Sequence, residues 1–375
     1  MASAILKKRV LSGMRPTGKM HLGHLAGALG NWVELQAKYD CFYFVADWHA
    51  LTSEYSNTEG LTDYALDNVT DWIAAGLDPE RSTFFVQSLV PEHAELYLLL
   101  SMIVPTPWLE RVPTYKEQIE ELAEKDLSTL GFLGYPLLQG ADIIMYRAHY
   151  VPVGEDQVPH LELTREVVRR FHSFYGEVFV EPQPLLTHFP RLPGLDNRKM
   201  SKSYGNAIDL ADDAETVRKK VKRMYTDPKR VRADIPGTVE GNPVFMYHDA
   251  FNRDTAEVED LKARYRAGKV GDVEVKETLA RALNAVLDPI RERRLELTAK
   301  PERIREILLD GSSRARGEAK LTMAKVREAV RLKYLLKVAV LWLMLWDIRP
   351  NSNQSSKPTL SNSTTLRGRL ISCCS

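Results

Sequence analysis

Apolar and polar positions in the front half of the chain alternate between two textures. Short apolar runs at residues 10–11, 41–46 and 83–86 are separated by longer stretches with helical spacing at 22–39 and 61–75. Strand, helix, strand, helix predicts a parallel sheet covered on both faces. The run CFYFVA at 41–46 is apolar without alternation, as a central strand buried on both sides requires. The pattern therefore predicts a doubly wound α/β fold.

Residues 91–131, including the charged run 115–126, are mostly helical and too short for an inserted domain. A helix over 135–146, a short strand at 150–153 and a helix over 156–175 follow. Prolines at 182, 184, 190 and 193 then mark a long irregular connection. After Leu210 the texture changes to charged helices, at 215–224, 256–266, 273–294 and 301–309, with no central strand. The expected organisation is a catalytic α/β domain over 1–209, an all-helical domain over 210–334 and an atypical tail over 335–375. That tail begins LLKVAVLWLMLW and continues with NSNQSSKPTLSNSTT. The apolar run is shorter than the roughly 20 residues of a membrane span. The polar stretch cannot bury enough surface to offset its ordering entropy, so disorder is expected there.

Composition narrows the class. Of 375 residues 44% are hydrophobic and 27% charged, which suits a folded protein and excludes a disordered chain or a small stapled module. The net charge of +1 conceals an asymmetry: residues 1–210 carry −9, residues 211–334 carry +6 and the remainder +4. An acidic front and basic back suggest a small-molecule site followed by a polyanion surface, or simply solvated charge. Three cysteines, Cys41, Cys373 and Cys374, supply neither a disulfide framework nor a four-ligand zinc site. With no signal peptide and no membrane span in the pattern, a cytoplasmic protein is expected.

Two constellations carry chemistry. SGMRPTGKMHLGHLAGAL at 12–29 places Gly13, Gly18, Gly23, His21 and His24 where a strand gives way to a helix. Glycines let backbone approach a ligand, and a helix N-terminus offers free N–H groups to phosphate. His21 and His24 share one face of the first turn. Read alone, H-x-x-H is equally a tight turn with solvated imidazoles. The second constellation is Lys199-Met200-Ser201-Lys202-Ser203, two lysines in a polar, glycine-flanked loop suited to clamping transferring phosphates. Alone it is ordinary surface charge; in this order on an α/β pattern the pair is specific.

With these residues the sequence resembles the class I aminoacyl-tRNA synthetases, His21 to His24 matching the HIGH signature and Lys199 to Ser203 the KMSKS signature. SGMRPTGKMHLGH, VADWHALT, YPLLQGADI and VPVGEDQ are similar to the tryptophanyl-tRNA synthetases in particular. The resemblance runs from about residue 9 to about 334. It implies a Rossmann-like sheet, adenylation of tryptophan by ATP with Mg²⁺, transfer to tRNA(Trp), an anticodon-contacting helical domain and a homodimer. By the family pattern, Arg15, Pro16, Thr17, Gly23 and His24 line the ATP site. Gly154, Glu155 and Asp156 hold the ribose side, and Lys199 and Lys202, with Met200, Ser201 and Ser203, close on the phosphates. His21, His24, Lys199 and Lys202 are the implied catalytic residues, and no metal site is assigned to the side chains.

For the amino acid, the resemblance implies that Asp142 accepts the indole N–H. A buried acceptor rejects phenylalanine by being left unpaired. Tyr135, Gln139 and Gln157 match positions around the ammonium and ring, and Leu11, Gly13, His49, Val151 and Val153 shape the pocket. Tyrosyl enzymes share the Tyr-x₃-Gln-x₂-Asp spacing of Tyr135, Gln139 and Asp142, so that helix does not separate the specificities. Leu11, where tyrosyl enzymes place a tyrosine, gives an apolar wall suited to indole. Gln139 stands where many tryptophanyl enzymes have methionine. Some relatives carry an iron–sulfur cluster on cysteines of the helical domain; no cysteine occurs here between 42 and 372. A catalytically silent paralogue that binds RNA is the alternative from another class, and the intact histidines and lysines argue against it.

Overall fold

The computed structural model describes residues 7–332 apart from 122–125, 187–191, 201–203, 229 and 231. The tail at 335–375, with its apolar run and its expected disorder, lies outside the described residues. Five strands form one sheet: β1 Arg9–Met14, β2 Asp40–Val45, β3 Ser82–Val86, β4 Tyr150–Val153 and β5 Gln183–Leu186, in the order β3-β2-β1-β4-β5. Every pairing is parallel, Leu11 facing Phe42 and Val151 facing Pro184. The helices are α1 Leu22–His24, α2 Gly30–Lys38, α3 Asp47–Glu54, α4 Leu61–Ala74, α5 Glu92–Ser101, α6 Thr106–Glu110, α7 Pro113–Glu121, α8 Leu130–Met145, α9 Val158–Tyr175, α10 Ala214–Lys222, α11 Pro243–Phe251, α12 Thr255–Arg266, α13 Asp272–Thr298 and α14 Pro301–Ala329. Among the described residues no helix is long and apolar enough to cross a membrane.

The sheet separates two apolar cores, and β2 shows how. Cys41, Tyr43 and Val45 face a core built with Trp32 of α2, Trp72 of α4 and the apolar stripes of α11 and α13. Phe42 and Phe44 face a second core made with α5, α8, α9 and Ala315, Ala319, Met323 and Val326 of α14. Both sides of β2 are buried, which is why its sequence shows no alternation.

Three elements depart from the sequence reading. The proline-rich connection contains β5, in which Pro184 is itself paired with Val151. Proline is tolerated because β5 is the last strand of the sheet, where a missing donor interrupts no further ladder. Helix α11 begins at a proline that Asn242 caps, its side chain accepting from the Val244 N–H at 3.0 Å. Helix α14 continues 20 residues past Leu309. Gly311 and Ser312 sit where it crosses β3: a Cβ on Gly311 would lie 2.8 Å from the Phe84 carbonyl carbon and closer still to its oxygen.

Candidate active site

Between β1 and β4 the chain order reverses, and in an open parallel sheet this switch point leaves a crevice at the carboxyl ends of the strands. A cavity of about 420 Å³ lies there. Leu11 and Gly13 from β1, Val151 and Val153 from β4, Gly154 and Gln157 from the turn that follows, and Arg15 form part of its wall. His49 of α3 and Tyr135, Gln139 and Asp142 of α8 complete it. The spacing of 4 and then 3 residues puts the three α8 side chains on one helical face. The structure thus brings together all nine residues expected around the amino acid, with two of the ATP set. Gly13 is small for a visible reason: a Cβ there would lie 2.5 Å from the Phe44 ring, which also lines the cavity.

At the base of the cavity Asp142 is 1% exposed. Four hydrogen bonds converge on its carboxylate. Gln87 Nε2 donates to both oxygens at 2.9 Å, His49 Nε2 lies 2.8 Å from Oδ2 and His93 Nδ1 lies 2.6 Å from Oδ1. A carboxylate only accepts, so each imidazole nitrogen facing it carries the proton. On the far side of His93, the Tyr146 hydroxyl oxygen lies 2.6 Å from Nε2. Burial drives the Tyr146 phenol pKa well up, with the Asp142 charge acting the same way, so the phenol keeps its proton. Burial alone would push the Asp142 carboxyl up; the charges and hydrogen bonds of His93 and His49 outweigh it and hold the group below the ordinary carboxylate range.

Gln87, His93 and Tyr146 were not found from the sequence. Gln87 is the first residue after β3, and the ends of parallel strands are where site residues collect, so its position was the available signal. His93 and Tyr146 offer no local signal, because their meaning arises only when α5 meets α8. Asp47 joins two of these pieces: it accepts from the Ser88 N–H at 3.1 Å and from the Ser88 hydroxyl, tying α3 with His49 to the turn that carries Gln87. His160, which also lines the cavity and packs on Tyr135 at 5.6 Å, was missed as well.

The remaining expected residues lie in a second group. His21 caps α1, its Nδ1 accepting from the Gly23 N–H at 3.2 Å, while His24 Nδ1 accepts from the His21 N–H at 3.1 Å. The rings lie against each other with centroids 3.8 Å apart, tilted by 37°. Two imidazoles thus act as a reciprocal cap at the opening of the helix. Pro16 is buried and the Thr17 N–H turns back to the Arg15 carbonyl at 2.9 Å. Glu155 opens the short 3₁₀ turn Glu155–Gln157 and is exposed; the Asp156 backbone is in the same turn.

The first signature motif pairs through backbone with residues 208–210, just beyond the second. Leu22 N–H donates to the Ile208 carbonyl and Leu210 N–H to the Met20 carbonyl, both at 2.9 Å. A Cβ on Gly23 would lie 3.0 Å from the Met200 sulfur, so the second motif rests against the first. The loop bearing Lys199 is closed by Gly194 N–H to the Arg198 carbonyl at 2.7 Å and Leu195 N–H to the Asn206 carbonyl at 2.8 Å. Asn206 Nδ2 donates to Asp196 at 2.8 Å and to the Lys199 carbonyl at 3.1 Å. The Asn206 bond to Asp196, helped by Arg198, brings the Asp196 carboxyl down to about 2 against the cost of desolvation. Lys199 is exposed; Ser201, Lys202 and Ser203 lie outside the described residues. Among the described residues no three His, Cys, Asp or Glu side chains converge as a metal cage.

Comparison with known proteins agrees with this geometry. The family described as class I tRNA synthetases (W and Y) matches residues 7–288. The chain is 51% identical over 327 residues to the tryptophan–tRNA ligase of Treponema pallidum, covering 86% of this chain and 97% of that one. It is 51% identical over 327 residues to the ligase of Thermotoga maritima, covering 87% and 100%. Among solved structures, Campylobacter jejuni tryptophanyl-tRNA synthetase complexed with ADP and tryptophan superposes with a TM-score of 0.77 at 33% identity, covering 86% of this chain and 99% of that one. The family match over most of the chain and the identity to these relatives, on a fold that sets the two signature motifs beside a cavity with a buried carboxylate, place the chain in the class I aminoacyl-tRNA synthetases, among the tryptophan–tRNA ligases.

Proposed function

We propose that the cavity over Asp142 takes the tryptophan side chain, and that ATP lies between Arg15, the His21 to His24 turn and the loop at 199–203. The family reaction joins tryptophan and ATP into tryptophanyl-adenylate with release of pyrophosphate, then moves the tryptophanyl group to tRNA. The tryptophan carboxylate is ionised at neutral pH and attacks the α-phosphorus directly, so no general base is required. Catalysis is then positioning and neutralisation of charge on the departing pyrophosphate. Lys199 and Lys202 supply the neutralisation. Pro16, Thr17, Gly23 and the His21/His24 cap seat the triphosphate, and Gly154 to Asp156 take the ribose side. Mg²⁺ enters with the ATP phosphates as part of the substrate. The helical region 210–334, carrying the basic excess, faces the tRNA anticodon, and the working form is a homodimer.

The observation that carries this reading is a single buried, ionised carboxylate at the base of a cavity of about 420 Å³ walled by both apolar and polar side chains. Its lone pairs already meet three protein donors, of which only His49 lines the cavity. An indole N–H entering the cavity therefore takes the place of the His49 donor, while Gln87 and His93 stay. A phenylalanine ring that displaces His49 offers no donor in exchange and leaves the carboxylate short of one hydrogen bond. Amino-acid-dependent ATP–pyrophosphate exchange measured across all twenty amino acids tests the reading. Exchange with tryptophan alone is expected; faster exchange with tyrosine overturns it.

A further inference from the structure

Gln87, just after β3, and His93, in the first turn of α5, grip Asp142 from behind, and Tyr146, just after α8, holds His93 in turn. The chain neighbour of each is held by one helix, α14. Beside Gln87, the Val86 N–H donates to Ser312 Oγ at 3.1 Å. Beside His93, both oxygens of the Glu92 carboxylate accept from Arg316 Nε, at 3.0 and 3.1 Å, and that carboxylate is only 7% exposed. Beside Tyr146, Arg147 pairs with Glu318 at 2.9 Å. Arg9 reaches the same Glu318 oxygen at 2.9 Å and donates to the Tyr146 carbonyl at 3.1 Å. The helix can do this because it lies close to the sheet: Gly311 has no room for a Cβ over Phe84, and Ala315 and Ala319 are fully buried.

We infer that α14 is a positioning element for amino-acid discrimination, in which Ser312, Arg316 and Glu318 fix the places of Gln87, His93 and Tyr146 and through them the carboxylate of Asp142. The inference rests on the reading of Asp142 as acceptor of the indole N–H. None of the three α14 residues touches the cavity. Their contribution is geometric: a carboxylate held from several directions accepts a new donor in one orientation only, and loosening any hold lets it tilt. The feature has no counterpart in either signature motif, since it lies more than 100 residues beyond the second of them.

The test uses the full chain and two substrates, tryptophan and benzothienylalanine, which keeps the ring shape and lacks the N–H. The ratio of kcat/KM for the two in pyrophosphate exchange reads the Asp142 contact. Ser312→Ala and Arg316→Met are each expected to lower this ratio by between about twofold and thirtyfold, the range of coupling carried through intermediate residues. The KM for ATP is expected to stay unchanged, and Arg316→Lys to recover part of the loss. In an Asp142→Asn background neither variant is expected to lower the ratio further. An unchanged ratio in Ser312→Ala and Arg316→Met while Asp142→Asn lowers it overturns the role of α14. Equal further losses in the Asp142→Asn background overturn it too, since the helix would then act elsewhere. An unchanged ratio in Asp142→Asn overturns the reading of Asp142 itself, and with it the inference. Ser312→Ala removes one oxygen and carries the test if Arg316→Met does not fold.

Discussion

Two glycine-to-alanine substitutions on the same helix should act in opposite directions. Gly311→Ala places a Cβ 2.8 Å from the Phe84 carbonyl carbon and closer to its oxygen, both backbone atoms of a buried strand that cannot turn aside. Restoring ordinary van der Waals separations, with the closer oxygen setting the demand, requires α14 to lift by roughly 1.5 Å. Such overpacking costs about 1–3 kcal/mol. The same lift stretches the 3.1 Å bond from Val86 N–H to Ser312 Oγ beyond hydrogen-bond range. Leaving that N–H unpaired adds about 1–3 kcal/mol. The expected loss is therefore about 2–6 kcal/mol, or at roughly 2 °C per kcal/mol a Tm lower by about 4–12 °C. Gly317, six residues on, is exposed with nothing within 4 Å of a Cβ. Gly317→Ala should stabilise the helix by about 0.5–1 kcal/mol through backbone entropy. Calorimetric or circular-dichroism melting of both variants beside the parent decides the matter. A Tm for Gly311→Ala within about 1 °C of the parent, a change below about 0.5 kcal/mol, refutes the close approach of α14 to β3.

Asp142→Asn should lower kcat/KM for tryptophan by about 10- to 150-fold, the value of a hydrogen bond to a buried charge, and leave the KM for ATP near that of the parent; steady-state exchange kinetics decide it. Lys202→Ala should reduce the rate of adenylate formation while sparing tryptophan binding, because its partner charge grows as pyrophosphate departs; single-turnover adenylation unchanged from the parent counts against the clamp. Asp196 has a folded pKa of about 2, below the unfolded value near 4, so its stabilisation is complete above about pH 4 and fades as pH falls to about 2. The Tm difference between parent and Asp196→Ala should therefore be positive at pH 6 and shrink toward zero on acidification; a difference independent of pH rejects the assignment. Truncation after Tyr334 should preserve tryptophan activation and tRNA charging, and loss of charging by a folded truncation would assign the tail to the working enzyme.

The part of the site that could be read from the chain is the part encoded locally. Gly13, His21, His24 and Gly23 sit within one strand-to-helix turn, and Tyr135, Gln139 and Asp142 share a helical face, so spacing alone sets them side by side. The parallel sheet was legible for a similar reason, since β2 announces burial on both faces by its unbroken apolar run. What was hidden depends on distant pieces meeting. Pro184 disguised β5 because its tolerance follows from the strand's place at the margin, which only the sheet order reveals. Gly311 and Ser312 disguised the length of α14 because their small size serves β3, more than 200 residues earlier. His93 looks like any polar residue at a helix start until Tyr146 and Asp142 arrive on either side of its ring.

The two margins of the sheet bear on how copies of this chain can associate. A bare strand at the side of a sheet is a template on which another chain can lay a strand of its own. Along β3 the outward N–H of Val86 is already taken by Ser312, and Gly311 presses on the Phe84 carbonyl, so α14 seals that flank. Along β5 the ring of Pro184 removes a donor at the second of four positions. Growth of the sheet across a subunit boundary is thus opposed at both flanks. Among the described residues, ladder-like polymerisation, which needs both flanks of a sheet open, is blocked at β3 while α14 stays in place.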